Sequence, residues 1–116
     1  MRFREHLNDE DYPLTWVAIK DNKPIGMCSL RVNDGIREDL TPWLGSLIVD
    51  QNYQKHGVAQ QLMETVKAYA KDKGFQYVYL FTFDRTLPEY YQRHGWEVMG
   101  MDAFKSHPVT VMHVML

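Results

Sequence analysis

Residues 47–59 read Leu47-Ile48-Val49-Asp50-Gln51-Asn52-Tyr53-Gln54-Lys55-His56-Gly57-Val58-Ala59, and this stretch decides the fold. It starts inside an apolar run, 43–49 (WLGSLIV), passes through a polar turn and reaches a glycine where the hydrophobic period changes from strand-like to helical. Beyond that glycine Val58, Leu62, Val66, Tyr69 and Lys73 recur at helical spacing, and Ala59, Met63 and Ala70 widen the stripe. Gly74 stands where a left-handed C-terminal cap belongs, and Lys71 and Lys73 occupy the last turn, where the helix dipole favours cations. Residues 77–83 (YVYLFTF) form a second run that is apolar on both faces, so both runs should lie in the middle of a sheet. Strand, helix and strand at this spacing make a βαβ unit, which predicts that the two strands are parallel.

Working outward, residues 15–20 (TWVAIK) and 25–32 (IGMCSLRV) are apolar runs separated by Asp21-Asn22-Lys23-Pro24, a hairpin signal. Residues 33–42, with Gly35 and Pro42, read as a loop. Residues 1–12 are polar and charged, and Phe3 and Leu7, four apart, read as the tail of a short helix. On the other side, 87–94 read as a short helix started by Pro88 and ended by Gly95. Residues 96–103 and 109–115 close the chain as a hairpin, with Pro108 just before the last strand. The class is α+β: a mixed, mostly antiparallel sheet around a central parallel βαβ unit.

A length of 116 residues predicts a single domain over 1–116 with one core. The net charge of −2 gives no electrostatic footprint for nucleic acid or for an anionic membrane. The apolar stretches break within about ten residues, too short for a spanning helix, so a cytoplasmic location is the default expectation. Cys28, the one cysteine, has no partner for an internal disulfide and reads as a small buried hydrophobe. Trp16, Trp43 and Trp96 read as core. His6, His56, His94, His107 and His113 form no spaced pair with a carboxylate or with Cys28, so no metal is expected.

The chemistry sits at the start of the long helix. A first helical turn leaves its N–H groups unpaired and carries partial positive charge, so a diphosphate finds donors and field together. Gly57 lets the backbone approach closely, and small Ala59 keeps the helix start uncrowded. Neither common nucleotide motif is present: there is no GxxxxGK[ST] and no GxGxxG. Taken alone, Gly57-x-Ala59 also reads as a helix-start glycine after a surface turn.

The larger order is more specific. A strand, then Gln54-x-x-Gly57-x-Ala59, a helix, a strand and Tyr91-x-x-x-Gly95-Trp96 resembles the GNAT superfamily of N-acetyltransferases, in a small bacterial-type single-domain form, over residues 15–115. The resemblance implies acetyl-coenzyme A as cosubstrate. Leu47, Ile48 and Val49 would offer main-chain groups to its pantetheine arm. The N–H groups of Lys55, His56, Gly57, Val58, Ala59 and Gln60 would surround its pyrophosphate, with Gln54 opening the motif. Family members carry a β-bulge in the central strand, and the two parallel strands splay so that the thioester sits in the gap.

By the same resemblance Tyr91 protonates the departing thiolate; its other reading is a core aromatic beside Tyr90. Many members place a glutamate near the start of the central strand, but that position is Trp43, which takes no proton. Asp84 is the nearest carboxylate that could face the cleft, and reads equally as a turn residue in Phe-Asp-Arg-Thr; a base acting through water, or an amine that arrives neutral, stays open. The implied reaction is direct acetyl transfer to a primary amine on a small molecule, with acceptor contacts from residues 33–42 and 101–108. A protein or peptide amine, or a degenerate acyl-CoA-binding sensor, are the alternatives.

Family domains open with a strand and one or two helices before the hairpin that begins here at Thr15. Residues 1–12 are read as too few for these, so the usual first strand and most of the first helical region are expected to be missing. Strand 15–20 would then be a bare edge, with Trp16 and Ala18 on one face and Val17 and Ile19 on the other. Soluble proteins cover such an edge, which predicts a homodimer or a swapped N-terminal segment there, the alternative being a shortened and less stable form of a longer domain.

Overall fold

Two runs with apolar residues on both faces need cover above and below, and they take the middle of the sheet. In the computed structural model, residues 2–8, 11–32, 35–37 and 39–116 are described, with side chains from residue 14 onward. The strands β1 (Arg2–Asn8), β2 (Asp11–Lys20), β3 (Lys23–Arg31) and β4 (Trp43–Val49) come first. A 3-10 turn (Gln51–Tyr53) leads to α1 (Val58–Asp72), β5 (Tyr77–Thr82), α2 (Leu87–Gln92), β6 (Glu97–Phe104) and β7 (His107–Met115). The strands form one seven-stranded sheet in the order β1-β2-β3-β4-β5-β7-β6. All neighbours are antiparallel except β4 and β5, which are parallel as the βαβ reading requires.

Side chains alternate across a strand, so each strand feeds two layers. On one face α1 buries Val58, Leu62, Met63, Val66 and Ala70. They pack in one cluster with Trp16 and Ala18 of β2, Cys28 and Leu30 of β3, and Val78 and Leu80 of β5. Leu62 has no exposed surface, so its truncation to alanine should cost about 2–5 kcal/mol. On the other face Trp43, Val109 and Val111 form a second cluster, covered by Ile36, Leu40, Tyr79, Phe81 and Phe104. Trp16, Trp43 and Trp96 are all buried. Cys28 is buried too, and burial pushes its thiol up to about 12. The hairpin from β2 to β3 is tighter than the sequence suggested. Asp21 and Asn22 alone turn it, both at positive φ (52° and 64°), and Lys23 already belongs to β3.

Residues 2–8 correct the sequence reading. They form a strand, not the tail of a helix, paired antiparallel to β2 from Arg2 opposite Ile19 to His6 opposite Thr15. A spacing of four, as between Phe3 and Leu7, satisfies a period of two as well as a period of 3.6, and the helical choice was the wrong one. The edge expected to be bare is therefore covered by β1, and the case for pairing two copies through strand 15–20 falls with it. Among the described residues, no helix stands between β1 and β2.

Candidate active site

The site begins with an irregularity in β4. Gly26 and Met27 face Val49 and Ile48, whereas Ser29, Leu30 and Arg31 face Gly45, Leu44 and Trp43, so β4 carries one more residue than β3 between the two registers. The extra residue falls at Ser46–Leu47, and Ser46 takes a left-handed φ of 53°. Such a bulge turns main-chain groups out of the ladder. Arg31 Nη2 donates to Ser46 Oγ at 2.6 Å, and Ser29 Oγ donates to the Gly45 carbonyl at 3.0 Å, pinning the bulge from β3. On its other side β4 meets β5 only near its start, where Trp43 faces Tyr79 and the Tyr79 N–H donates to the Pro42 carbonyl at 3.0 Å. Beyond that point the two strands part.

The chain leaves β4 at Asp50, whose carboxylate accepts from the Asn52 N–H at 2.8 Å and starts the 3-10 turn. Gly57 follows as the N-cap of α1 at φ 80°, a conformation that L side chains avoid. A Cβ built on Gly57 would find no atom within 4 Å, so the space above the helix start is open. The first intrahelical acceptor is the Gly57 carbonyl, taken by the Gln61 N–H at 3.0 Å. The N–H groups of Val58, Ala59 and Gln60 then lie ahead of the ladder and face outward. Gly26 of β3 lets α1 sit this low on the sheet: a Cβ there would come within 3.0 Å of Val58 Cγ1 and 3.2 Å of Leu62 Cδ1.

Two cavities meet in the gap between the parallel strands. One, of about 510 Å³, runs from the helix start to α2; Leu47 and Val49 line it from β4. Gln54, Lys55, Gly57, Val58, Ala59 and Gln60 line its far end. The other, of about 400 Å³, opens between β4 and β5 and is lined by Gly45, Ser46, Leu80, Thr82, Phe81 and Phe104 among others. Leu47, Leu87 and Tyr91 line both.

Tyr91 reaches this junction because α2 is closed by a tight cap. The Trp96 N–H donates to the Tyr91 carbonyl at 3.1 Å and the Gly95 N–H to the Gln92 carbonyl at 3.1 Å, with Gly95 at φ 93°. This is the Schellman pattern, which favours glycine at the left-handed position because it has no Cβ to clash. It folds Trp96 back to an edge contact with Tyr91, ring centroids 6.0 Å apart. Tyr91 is 9% exposed, and burial, with a smaller push from Tyr90, holds its phenol above its ordinary value.

Of the residues singled out from sequence, Ile48 and His56 do not line the cavities: Ile48 is exposed and His56 sits beside the Tyr53 ring at 6.2 Å. Asp84 lines neither cavity; its exposed carboxylate accepts from the Thr86 N–H at 2.8 Å and the Thr86 hydroxyl at 2.7 Å. These bonds hold it below the usual carboxylate range, the hydroxyl contributing most. Trp43 is fully buried, its indole N–H donating to the Leu40 carbonyl at 2.7 Å. Of the two loops expected to meet the acceptor, 101–108 contributes Phe104, and residues 33, 34 and 38 of the other lie outside the described residues. Arg31 and Ser46, at the second cavity, were not singled out; they come from different strands, and no local pattern joins them.

A sheet with a bulged, splayed central pair and a glycine-opened helix defines a class. The family model for the acetyltransferase (GNAT) family matches residues 1–96, and the chain belongs to that family. Human N-acetyltransferase 8 is 32% identical over 92 residues, which are 77% of this chain and 40% of that protein. Among solved structures, a putative streptothricin acetyltransferase from Bacillus anthracis in complex with acetyl coenzyme A superposes with a TM-score of 0.78 at 19% identity. That match covers 94% of this chain and 65% of the Bacillus protein. An aminoglycoside 6'-N-acetyltransferase complexed with coenzyme A superposes with a TM-score of 0.75 at 15% identity, over 93% of this chain and 74% of that one. The solved structures share the fold; the chain spans less than half of the human relative.

Proposed function

We propose that this chain is an acetyl-coenzyme A-dependent N-acetyltransferase acting on a primary amine of a small molecule. One observation carries the reading: two cavities, one rooted at a helix N-terminus and one opening through the sheet, share Tyr91 at their junction. The residues present fit acetyl-coenzyme A. The N–H groups at the start of α1 suit a diphosphate, with Lys55 beside them and no side chain on Gly57 to exclude it. The bulge at Ser46–Leu47 borders the first cavity through Leu47, and a bulge frees main-chain donors and acceptors of the kind that suits an amide-bearing arm.

Bound acetyl-coenzyme A supplies an activated acyl carbon. The acceptor enters as a neutral amine from the second cavity, and holding the two reactants together removes most of the entropy cost of their meeting. A bond forms from the amine nitrogen to the carbonyl carbon and the carbon–sulfur bond breaks. Tyr91, kept protonated by burial, delivers its proton to the sulfur; the nitrogen releases its surplus proton to water, and Tyr91 regains one from solvent. Asp84 is a poor base here, because its bonds to Thr86 stabilise the unprotonated form. The direct test is thiol release from acetyl-coenzyme A against a panel of amines. Amine-dependent release is expected. Tight binding of acetyl-coenzyme A with no transfer to any amine would replace the enzyme by a sensor.

A further inference from the structure

The second cavity has a wall whose chemistry goes beyond binding an amino group. Phe81, Phe83 and Phe104 all line it, and their rings touch one another: 5.7 Å between Phe81 and Phe83, 5.3 Å between Phe81 and Phe104, and 6.1 Å between Phe83 and Phe104. These separations lie in the range where aromatic rings attract beyond simple area burial. The wall is held in place from behind. A Cβ on Gly35 would come within 2.9 Å of the Phe104 ring, so the loop backbone presses on that ring, and Phe81 packs against buried Trp43 at 6.2 Å. Phe83, at the end of this row, is 52% exposed, so part of its ring surface is still uncovered by its ring neighbours.

We infer that the acceptor is an amine carried on a single aromatic or similarly flat apolar body, with the ring against Phe83 and Phe104 and the amino group pointing to Tyr91. This rests on the acetyltransferase reading and narrows its substrate. Two features argue against the polycationic amines that aminoglycosides represent. The cavity of about 400 Å³ lies near the lower end of the roughly 300–1,000 Å³ of ligand pockets, which suits one ring rather than several linked sugars. Among the described residues that line it there is no carboxylate, and the one formally charged side chain is the cation Arg31. Second and third ammonium groups would find aromatic faces there and, among the described lining residues, no counter-charge.

The test compares kcat/KM for 2-phenylethylamine, ethylamine and kanamycin, using acetyl-coenzyme A and thiol release, with calorimetry of acetyl-coenzyme A binding alongside. Burying one phenyl ring should favour 2-phenylethylamine over ethylamine by roughly 10- to 100-fold. In Phe83→Ala, and in the milder Phe104→Leu, that preference ratio should shrink by roughly tenfold. Equal rates for the two monoamines, preference for kanamycin, or no turnover of 2-phenylethylamine by a protein that binds acetyl-coenzyme A would overturn the inference alone. Failure to bind acetyl-coenzyme A would overturn the underlying reading and the inference with it.

Discussion

The Tyr91 carbonyl accepts the Trp96 N–H at 3.1 Å while the two rings meet edge to face at 6.0 Å. The spacing Tyr-x-x-x-Gly-Trp is thus one object: a helix cap whose glycine folds the indole onto the tyrosine and fixes where the phenol points. If Tyr91 is the acid, Tyr91→Phe keeps the ring contact and loses the proton. Turnover should fall by roughly 10²–10⁴-fold while acetyl-coenzyme A affinity holds. Steady-state kinetics beside calorimetry separates the two effects, and unchanged turnover would leave Tyr91 a packing residue.

Asp84 gives the complementary test. Its carboxylate is spent on Thr86, so Asp84→Asn should not show the roughly 10²–10⁴-fold loss that follows removal of a general base. The pH profile of kcat/KM should also keep its shape on the acid side. Asp84 lies below its ordinary value in the folded protein, so its share of stability is present above about pH 4 and fades as pH falls through the lowered value. A collapse of turnover in Asp84→Asn, with the fold intact, would return it to the site.

The family resemblance puts Trp43 where a glutamate base would be expected, which invites the variant Trp43→Glu. The site forbids it. Trp43 has no exposed surface and packs against Tyr79 and Phe81. Losing such a ring costs about 3–5 kcal/mol, and an unpaired buried carboxylate adds to that. Against a typical total of about 5–15 kcal/mol, the variant should be largely unfolded by urea titration followed by circular dichroism. A folded Trp43→Glu with faster turnover would show that this position opens to the cleft.

Cys28 reports on the core beneath α1. Its thiol lies 3.9 Å from the Leu62 carbonyl and is pushed up from 9.0 to about 12. Raised above its unfolded value, it contributes stability that is fully present below pH 9 and lost as pH rises toward about 12. A Cys28→Ala variant should lack this part of the alkaline decline. At neutral pH an aromatic disulfide reagent should label Cys28 only at the rate of unfolding, and fast labelling of the native protein would place the thiol near the surface.

How much of this was legible in sequence follows from where the signals sit. The unit from Trp43 to Thr82 was readable because period, glycine and apolar runs are all local, and β4, α1 and β5 fall where the pattern put them. The first strand was not, because the two apolar residues at positions 3 and 7 fit either period and only pairing with β2 decides between them. In the site, the helix start and Tyr91 announced themselves through fixed spacings. Phe104 falls in the 101–108 stretch expected to meet the acceptor, but Arg31 and Ser46 join it only when distant strands are assembled, and nothing in their sequence neighbours marks them. Ile48 and His56 enter the sequence reading through their main-chain groups alone, and their exposed side chains stand clear of the cavities.

The central claim is that the open space over Gly57 holds the diphosphate of acetyl-coenzyme A, and calorimetric titration of that molecule into wild type, Gly57→Asn and Gly57→Glu tests it most directly. Asparagine tolerates the left-handed φ of 80° at this cap, glutamate bears a strain of about 1–2 kcal/mol there, and neither side chain meets protein atoms near its Cβ, so both variants should stay folded by circular dichroism, Gly57→Glu being the less stable. A carboxylate about 4 Å from a phosphate near the surface is worth roughly 4 kcal/mol, so Gly57→Glu should lose about two to three orders of magnitude in affinity, and Gly57→Asn far less. Wild-type affinity in folded Gly57→Glu, or no binding of acetyl-coenzyme A by the wild-type chain, would contradict the account.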